Sequence, residues 1–136
     1  MPRSEEAAMW YSAVYKAVQE VPYGRVTSYG HIARLLGYPE RPRQVGICLK
    51  HLPEYADQPD ARFNSTTVPW QRIINSKGII SHRGVGGAAK QEAALIQEGV
   101  EVTRGSLGER IIDFTVYGWF PPRLPSDREQ EEMRAG

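Results

Sequence analysis

The tetrapeptide Gly37-Tyr38-Pro39-Glu40 separates two short amphipathic segments, and this arrangement constrains the fold more than any other feature of the chain. Residues 29–36 place Ile32, Leu35 and Leu36 on one side of a helix. Residues 42–52 do the same with Val45, Leu49 and Leu52, with Ile47 and Cys48 beside them. Thr27 or Ser28 stands where a cap is needed, Gly37 suits the left-handed residue that ends a helix, and Pro42 suits a first turn. The second segment carries Arg41, Arg43, Gln44 and Lys50 on its other side. Two short helices, a glycine-containing turn and a basic second helix form the pattern of a helix-turn-helix. Helical hairpins that bind nothing share that pattern, so it does not define a function alone.

The rest of the chain supports one domain built around this unit. Trp10, Val14, Ala17, Val18 and Val21 recur at helical spacing over residues 5–21, and Pro22-Tyr23-Gly24 ends that helix. Residues 53–67 are polar, contain two prolines and predict a long surface loop. Arg72-Ile73-Ile74 and Ile79-Ile80-Ser81 flank Asn75-Ser76-Lys77-Gly78, which predicts a β-hairpin serving as a small wing. Gly84, Gly86 and Gly87 lead to a further helix over 88–97, ended by Gly99. Residues 100–120 alternate weakly, as extended chain or a small strand would, and the segment from Pro121 is expected to fray. The expectation is one mainly α domain with a hairpin wing over residues 1–120, followed by a flexible tail over 121–136. A chain of 136 residues is long enough to bury one core.

Charge is unevenly placed along the chain. The net value is only +1, yet Arg25 to Lys90 contains ten Lys/Arg against four Asp/Glu, and Arg62 to Lys90 contains five basic residues and no acidic one. The flanking segments are acidic. A polyanion-binding face on an acidic body gives this pattern, as does scattered surface charge. One cysteine, Cys48, excludes an internal disulfide framework and a cysteine-rich zinc site. With no apolar run of membrane length and no signal-like N-terminus, the expected setting is the nucleus or cytoplasm, without membrane contact.

Catalytic signals are weak. His31, His51 and His82 fall on different elements, and Cys48 with His51 supplies only two candidate ligands, three residues apart. The chain contains no HExxH, GxSxG or P-loop pattern, and no metal or cofactor is expected. Binding chemistry is better supplied. Arg43 sits in the first turn of the basic helix, Tyr29 opens the preceding one, and Trp70 follows Val68-Pro69 in a context unsuited to a helix or central strand. These residues also fit an ordinary core tryptophan and a solvated arginine.

The strings VPYGRVTSYGHIARLLG, RPRQVGICLKHL and VPWQRIINSKGIISHRG, in this order, resemble the DNA-binding domain of the O6-alkylguanine-DNA alkyltransferases. The transferases carry Pro-Cys-His-Arg at the reactive centre. This chain has Pro69-Trp70-Gln71-Arg72, and tryptophan at that place is similar to the alkyltransferase-like subgroup. The resemblance implies a winged helix-turn-helix domain that works in the minor groove. It implies that Tyr29 helps rotate the target phosphate and that Arg43 is the finger taking the flipped base's place. It further implies that Tyr23, Trp70 and Arg83 form the lesion pocket. Gln71 would replace the relay histidine, and Glu98 would then be structural, partnering Arg72.

The implied function is a non-enzymatic, monomeric sensor. It would bind duplex DNA containing O6-alkylguanine, flip the damaged base and recruit nucleotide excision repair proteins. O6-alkylation removes the N1 proton of guanine and spoils its pairing, which lowers the few kcal/mol that flipping costs. An indole cannot replace a thiolate as nucleophile near neutral pH, so the complex would persist rather than turn over. Two alternatives remain at this level: an active DNA alkyltransferase using Cys48, and a winged-helix transcription regulator reading an undamaged operator.

Overall fold

The computed structural model describes residues 4–82 and 84–135. Its first layer is three helices. Helix α1, Glu5–Gln19, begins where the Ser4 hydroxyl accepts the Ala7 N–H at 3.2 Å, and Glu5 and Glu6 face the positive end of its dipole. Helix α2, Tyr29–Leu35, is capped by Ser28, whose Oγ accepts from the His31 N–H at 3.0 Å. Gly37 then adopts the left-handed conformation, φ +88°, as its place after the helix predicts. Helix α3, Pro42–Lys50, follows with proline in its first turn. The three helices bury Val14, Val18, Ile32, Val45, Cys48 and Leu49 against one another.

Two short strands set the position of everything after α3. Strand β1, Thr27–Ser28, pairs in parallel with β2, Ile73–Ile74, in the register Thr27↔Ile73 and Ser28↔Ile74. Parallel partners cannot be joined by a tight turn, so α2, α3 and the loop over 53–67 together form the crossover. The start of the helix-turn-helix unit is thereby brought beside the 3-10 turn Trp70–Arg72, which runs directly into β2. Within the loop, the buried Asn64 acts as an internal frame. Its Oδ1 accepts from the N–H groups of Thr66 and Thr67, and its Nδ2 donates to the carbonyls of Gln58 and Ala61.

A second core of Val26, Ile74, Ile80, Ala88, Leu95, Val100 and Ile112 lies under helix α4, Gly84–Gln97. The first turn of α4 is broken at Val85 and at Gly86, φ +75°, so the expected glycine crossing is part of this element. Strands β3, Thr103–Arg104, and β4, Arg110–Ile111, form an antiparallel ribbon, and the four-residue helix α5 spans Phe114–Tyr117.

The expected hairpin wing is not what the chain builds. The turn at 75–78 forms, with the Asn75 N–H donating to the Ile79 carbonyl at 3.1 Å. Its two arms then diverge: Ile73–Ile74 pairs with Thr27–Ser28, whereas Ile79 bridges Ile111 and the Ile80 N–H donates to the Arg110 carbonyl. Both arms are apolar and both reach the second core, through Ile74 and Ile80, while Ile73 reaches the first; what diverges is their backbone pairing, each arm bonding a different neighbouring segment. The segment from Pro121 also differs from a fraying tail. Leu124 is buried, His31 Nε2 donates to the Pro121 carbonyl at 2.7 Å, and the Glu20 carboxylate accepts from both Ser126 N–H and Ser126 Oγ. Helix α6, Pro125–Ala135, leaves the body from that anchor and buries none of its own residues.

Glu92 on α4 pins the ribbon. Arg104 donates to it through two nitrogens at 2.7 and 2.9 Å, and Arg110 Nε donates at 2.8 Å. These bonds, that to Arg104 first, hold the Glu92 carboxyl below the usual carboxylate range although its partial burial acts in the opposite sense. A carboxyl with a depressed folded-state pKa contributes stability that is present above its unfolded pKa of about 4.3 and is lost as pH falls through the folded value. Glu92→Gln is expected to be less stable than the parent at neutral pH and to converge on it in acid, as measured by urea unfolding across a pH series. Gly46 offers a test in the opposite direction. It lies within α3 without a positive φ, and an added Cβ would meet only the Tyr29 ring at an ordinary 3.8 Å. Gly46→Ala is expected to raise stability by about 0.5–1 kcal/mol in the same assay.

Candidate nucleic-acid interface

Helix α3 places Arg43, Gly46, Ile47 and Lys50 on one face, because residues three and four apart stack along a helix. Gly46 and Lys50 line a cleft of about 560 Å³, together with Tyr29, Trp70, His82 and Lys90. The Tyr29 ring lies against α3 beside Gly46, where a Cβ would make only an ordinary contact at 3.8 Å. Arg43 stands at the N-terminal end of the same helix face. It is exposed, and among the described residues no hydrogen bond or ion pair holds its guanidinium. The face of α3 that lines the cleft through Gly46 and Lys50 thus carries an exposed cation, Arg43, at its N-terminal end.

The turn bearing Trp70 is held from behind. Gln91, fully buried on α4, donates from Nε2 to the carbonyls of Gln71 and Ile73 at 3.0 and 2.9 Å. Glu98, just beyond the end of α4, accepts three bonds: from the Gly24 N–H at 2.7 Å, from Gln71 Nε2 at 2.8 Å and from Arg72 Nε at 2.9 Å. Arg72 also donates to the Val21 carbonyl at 2.8 Å. The Glu98 side chain is 5% exposed and that of Arg72 14%, so the pair is shielded from water and salt. Successive side chains of one 3-10 turn thus divide: Trp70 lines the cleft, while Gln71 and Arg72 anchor the turn to the end of α4 and the end of α1.

The family model for the 6-O-methylguanine DNA methyltransferase DNA-binding domain matches residues 9–100. Alkyltransferase-like protein 1 of Schizosaccharomyces pombe is 46% identical over 114 residues, covering 82% of this chain and 95% of the relative. The chain belongs to the alkyltransferase-like family. Another relative, the DNA base-flipping protein of Escherichia coli, is 40% identical over 106 residues, covering 78% of this chain and 70% of its own length. Among solved structures, S. pombe Atl1 in complex with damaged DNA containing O6-carboxymethylguanine superposes with a TM-score of 0.71 at 43% identity, covering 88% of this chain and 100% of that one. The helix-turn-helix architecture expected from the sequence is the architecture of these alkyltransferase-like structures.

The residues singled out in the sequence are only partly gathered by this alkyltransferase-like fold. Tyr29 and Trp70 share the cleft, and Arg43 stands on the helix face that borders it. Tyr23 is not among the cleft-lining residues. Its hydroxyl donates to the Gln97 carbonyl at 3.1 Å, and its ring faces the Arg72 guanidinium at 5.5 Å. Arg83 lies outside the described residues. Glu98 does partner Arg72, as its reading as a structural residue requires. The histidines are dispersed: His31 holds Pro121, His51 bonds the Tyr11 hydroxyl at 3.0 Å, and His82 lines the cleft. Among the described residues, no group of three or more His, Cys, Asp or Glu could hold a metal ion. Sequence reading missed Gln91, Gly46 and Lys90; it placed Lys50 on the basic side of its helix and noted His82 without a role. A glycine inside a nine-residue helix was a usable signal, because it costs about 1 kcal/mol unless packing needs it. Nothing in the pattern distinguishes Gln91 from its polar neighbours.

Removing Glu98 would leave a guanidinium, an amide and a backbone N–H without their acceptor in a buried setting. Glu98→Ala is expected to cost about 3 kcal/mol or more in denaturant unfolding, within the range for breaking buried ion pairs.

Proposed function

We propose that this chain is a non-enzymatic DNA-damage sensor that binds O6-alkylguanine in duplex DNA through the minor groove, flips the damaged base and holds it. One observation carries the reading: an unpaired Arg43 projects from the same helix face that lines a cleft containing Tyr29 and Trp70. In this reading Arg43 enters the duplex and occupies the vacated space, recovering part of the lost stacking. Tyr29, at the first position of α2, rotates the phosphate of the target nucleotide. Trp70 and Arg83 receive the flipped base, with aromatic and cation–π contacts each on the order of 1 kcal/mol. Tyr23 supports the site from behind by packing over Arg72, rather than forming its wall.

The absence of turnover follows from the same residues. Trp70 takes the place of the reactive cysteine, and Gln71, bonded to Glu98, offers no imidazole to accept a proton. The Cys48 thiol is buried in the core between α1, α2 and α3, which supports its reading as a packing residue out of reach of a nucleotide. A sensor that does not turn over must signal by persisting, so its product is a bent, marked site passed to nucleotide excision repair proteins. The sensor acts as a monomer.

The deciding experiment is equilibrium binding to one labelled duplex containing a single O6-methylguanine and to the same duplex with guanine, at fixed physiological salt. A preference of about tenfold or more, near 1.4 kcal/mol, is expected for the lesion. Arg43→Ala is expected to reduce lesion affinity by about tenfold, as an order of magnitude for one lost stacking contact, while leaving the thermal melt unchanged because the side chain is exposed. Equal affinity for both duplexes would favour an operator-reading regulator. A gain of one methyl group in the intact mass of the protein would favour an alkyltransferase.

A further inference from the structure

The described arginines differ in what their guanidinium edges touch. Arg72, Arg104 and Arg110 have their N–H groups satisfied by buried or half-buried carboxylates and carbonyls. Arg41 is fixed in another way. Its guanidinium carbon lies 4.1 Å from the centroid of the Tyr38 ring and 5.4 Å from that of Trp10, and these two rings meet edge to face at 5.7 Å. The rings engage the flat surface of the cation and leave its edges open. Among the described residues it makes no side-chain hydrogen bond, and its one ion pair, to Glu40, is 3.9 Å long between side chains 42% and 66% exposed. Such a pair contributes little.

We propose that Arg41 is a phosphate-binding residue of the DNA face, holding the sugar–phosphate backbone beside the position where Arg43 enters. The proposal rests on the DNA-binding reading above and adds a contact to it. A guanidinium has five N–H donors in one plane, and an aromatic ring stacked on that plane leaves them free for the oxygens of a phosphate. Trp10 comes from α1 and Tyr38 from the turn between α2 and α3, so a helix and a turn distant in sequence together fix one cation. That bracket removes rotamer freedom before DNA arrives, and less ordering entropy then opposes the contact. Arg41 immediately precedes α3, two positions before Arg43, which puts it at the end of the helix that meets the duplex. Among the described residues Glu40 is the carboxylate paired with this edge, and an incoming phosphate would displace it.

The test compares wild type, Arg41→Gln and Arg41→Lys on the undamaged and the O6-methylguanine duplexes, titrated at several salt concentrations, with thermal melts of each protein. Arg41→Gln is expected to weaken binding to both duplexes by the same factor and to reduce the slope of log K against log salt by about 0.9, the value for one phosphate contact. Arg41→Lys is expected to keep the slope while losing affinity, because the charge stays and the planar fork is lost. A wild-type slope for Arg41→Gln would overturn the proposal, and a lowered melting temperature alongside it would assign Arg41 to packing. Weakening confined to the lesion duplex would also overturn it, moving Arg41 into the flipping step. The sensor reading is decided separately by the ratio of wild-type affinities for the two duplexes. If that ratio is one, the Arg41 comparison still stands on undamaged DNA.

Discussion

The buried carboxylate of Glu98 is the interaction on which the candidate site depends. It joins three segments that share no local sequence: the turn after α1 through Gly24, the Trp70–Arg72 turn through Gln71 and Arg72, and the end of α4 where it resides. A carboxylate with little access to water is costly to bury unless its oxygens are occupied. Two of the three donors that satisfy it, Gln71 and Arg72, belong to the turn carrying Trp70. The energetic requirement of the ion and the geometric requirement of the cleft are therefore met in large part by the same bonds. Gln91 adds a second restraint on the backbone of that turn from about two helical turns further back along α4.

Around this anchor the basic residues divide into structural and exposed sets. Arg72 is used inside the fold by Glu98, Arg25 by the Val116 carbonyl, and Lys90 pairs with Glu54 across the cleft. Arg43 and Lys50 remain on the exposed face of α3. Arg34, Arg62 and Lys77 are exposed on other elements. The placing of Arg43 and Lys50 on one helix face, more than the net charge of +1, is the electrostatic feature relevant to a polyanion.

Local features were legible in the chain, and pairings distant in sequence were not. The serine cap of α2, the left-handed Gly37 and the proline start of α3 each follow from a constraint that acts within a few residues. The two helices of the reading unit consequently ended within about two residues of expectation. The segment Ile73-Ile74 shows the opposite case. Its apolar pattern and following turn indicate a strand correctly, but not the partner, and the core chose Thr27–Ser28 over the adjacent Ile79–Ile80. Leu124 is similar: one apolar residue in a polar, proline-rich segment gives no periodic signal, yet it fills a place in the main core. At the site, motif resemblance singled out Tyr29, Arg43, Trp70 and Tyr23. The fold brings Tyr29 and Trp70 to one cleft and Arg43 to the helix face beside it, while the Tyr23 ring faces Arg72.

The parallel pairing of β1 and β2, with Glu98 closing behind it, also governs the order in which the molecule can be assembled. The helix-turn-helix unit is complete in the chain by Lys50, and its packing on α1 involves segments already synthesised by then. The cleft, in contrast, needs Ile73 to find Thr27, and the Trp70 turn receives its carboxylate anchor only after residue 98 exists. A growing chain therefore presents its cationic helix face to the cell before it possesses the recess that gives that face discrimination. Synthesis at roughly 5–20 residues per second separates the two stages by seconds. During synthesis, the nascent protein passes through a stage at which it can adhere to polyanions without yet being able to select among them.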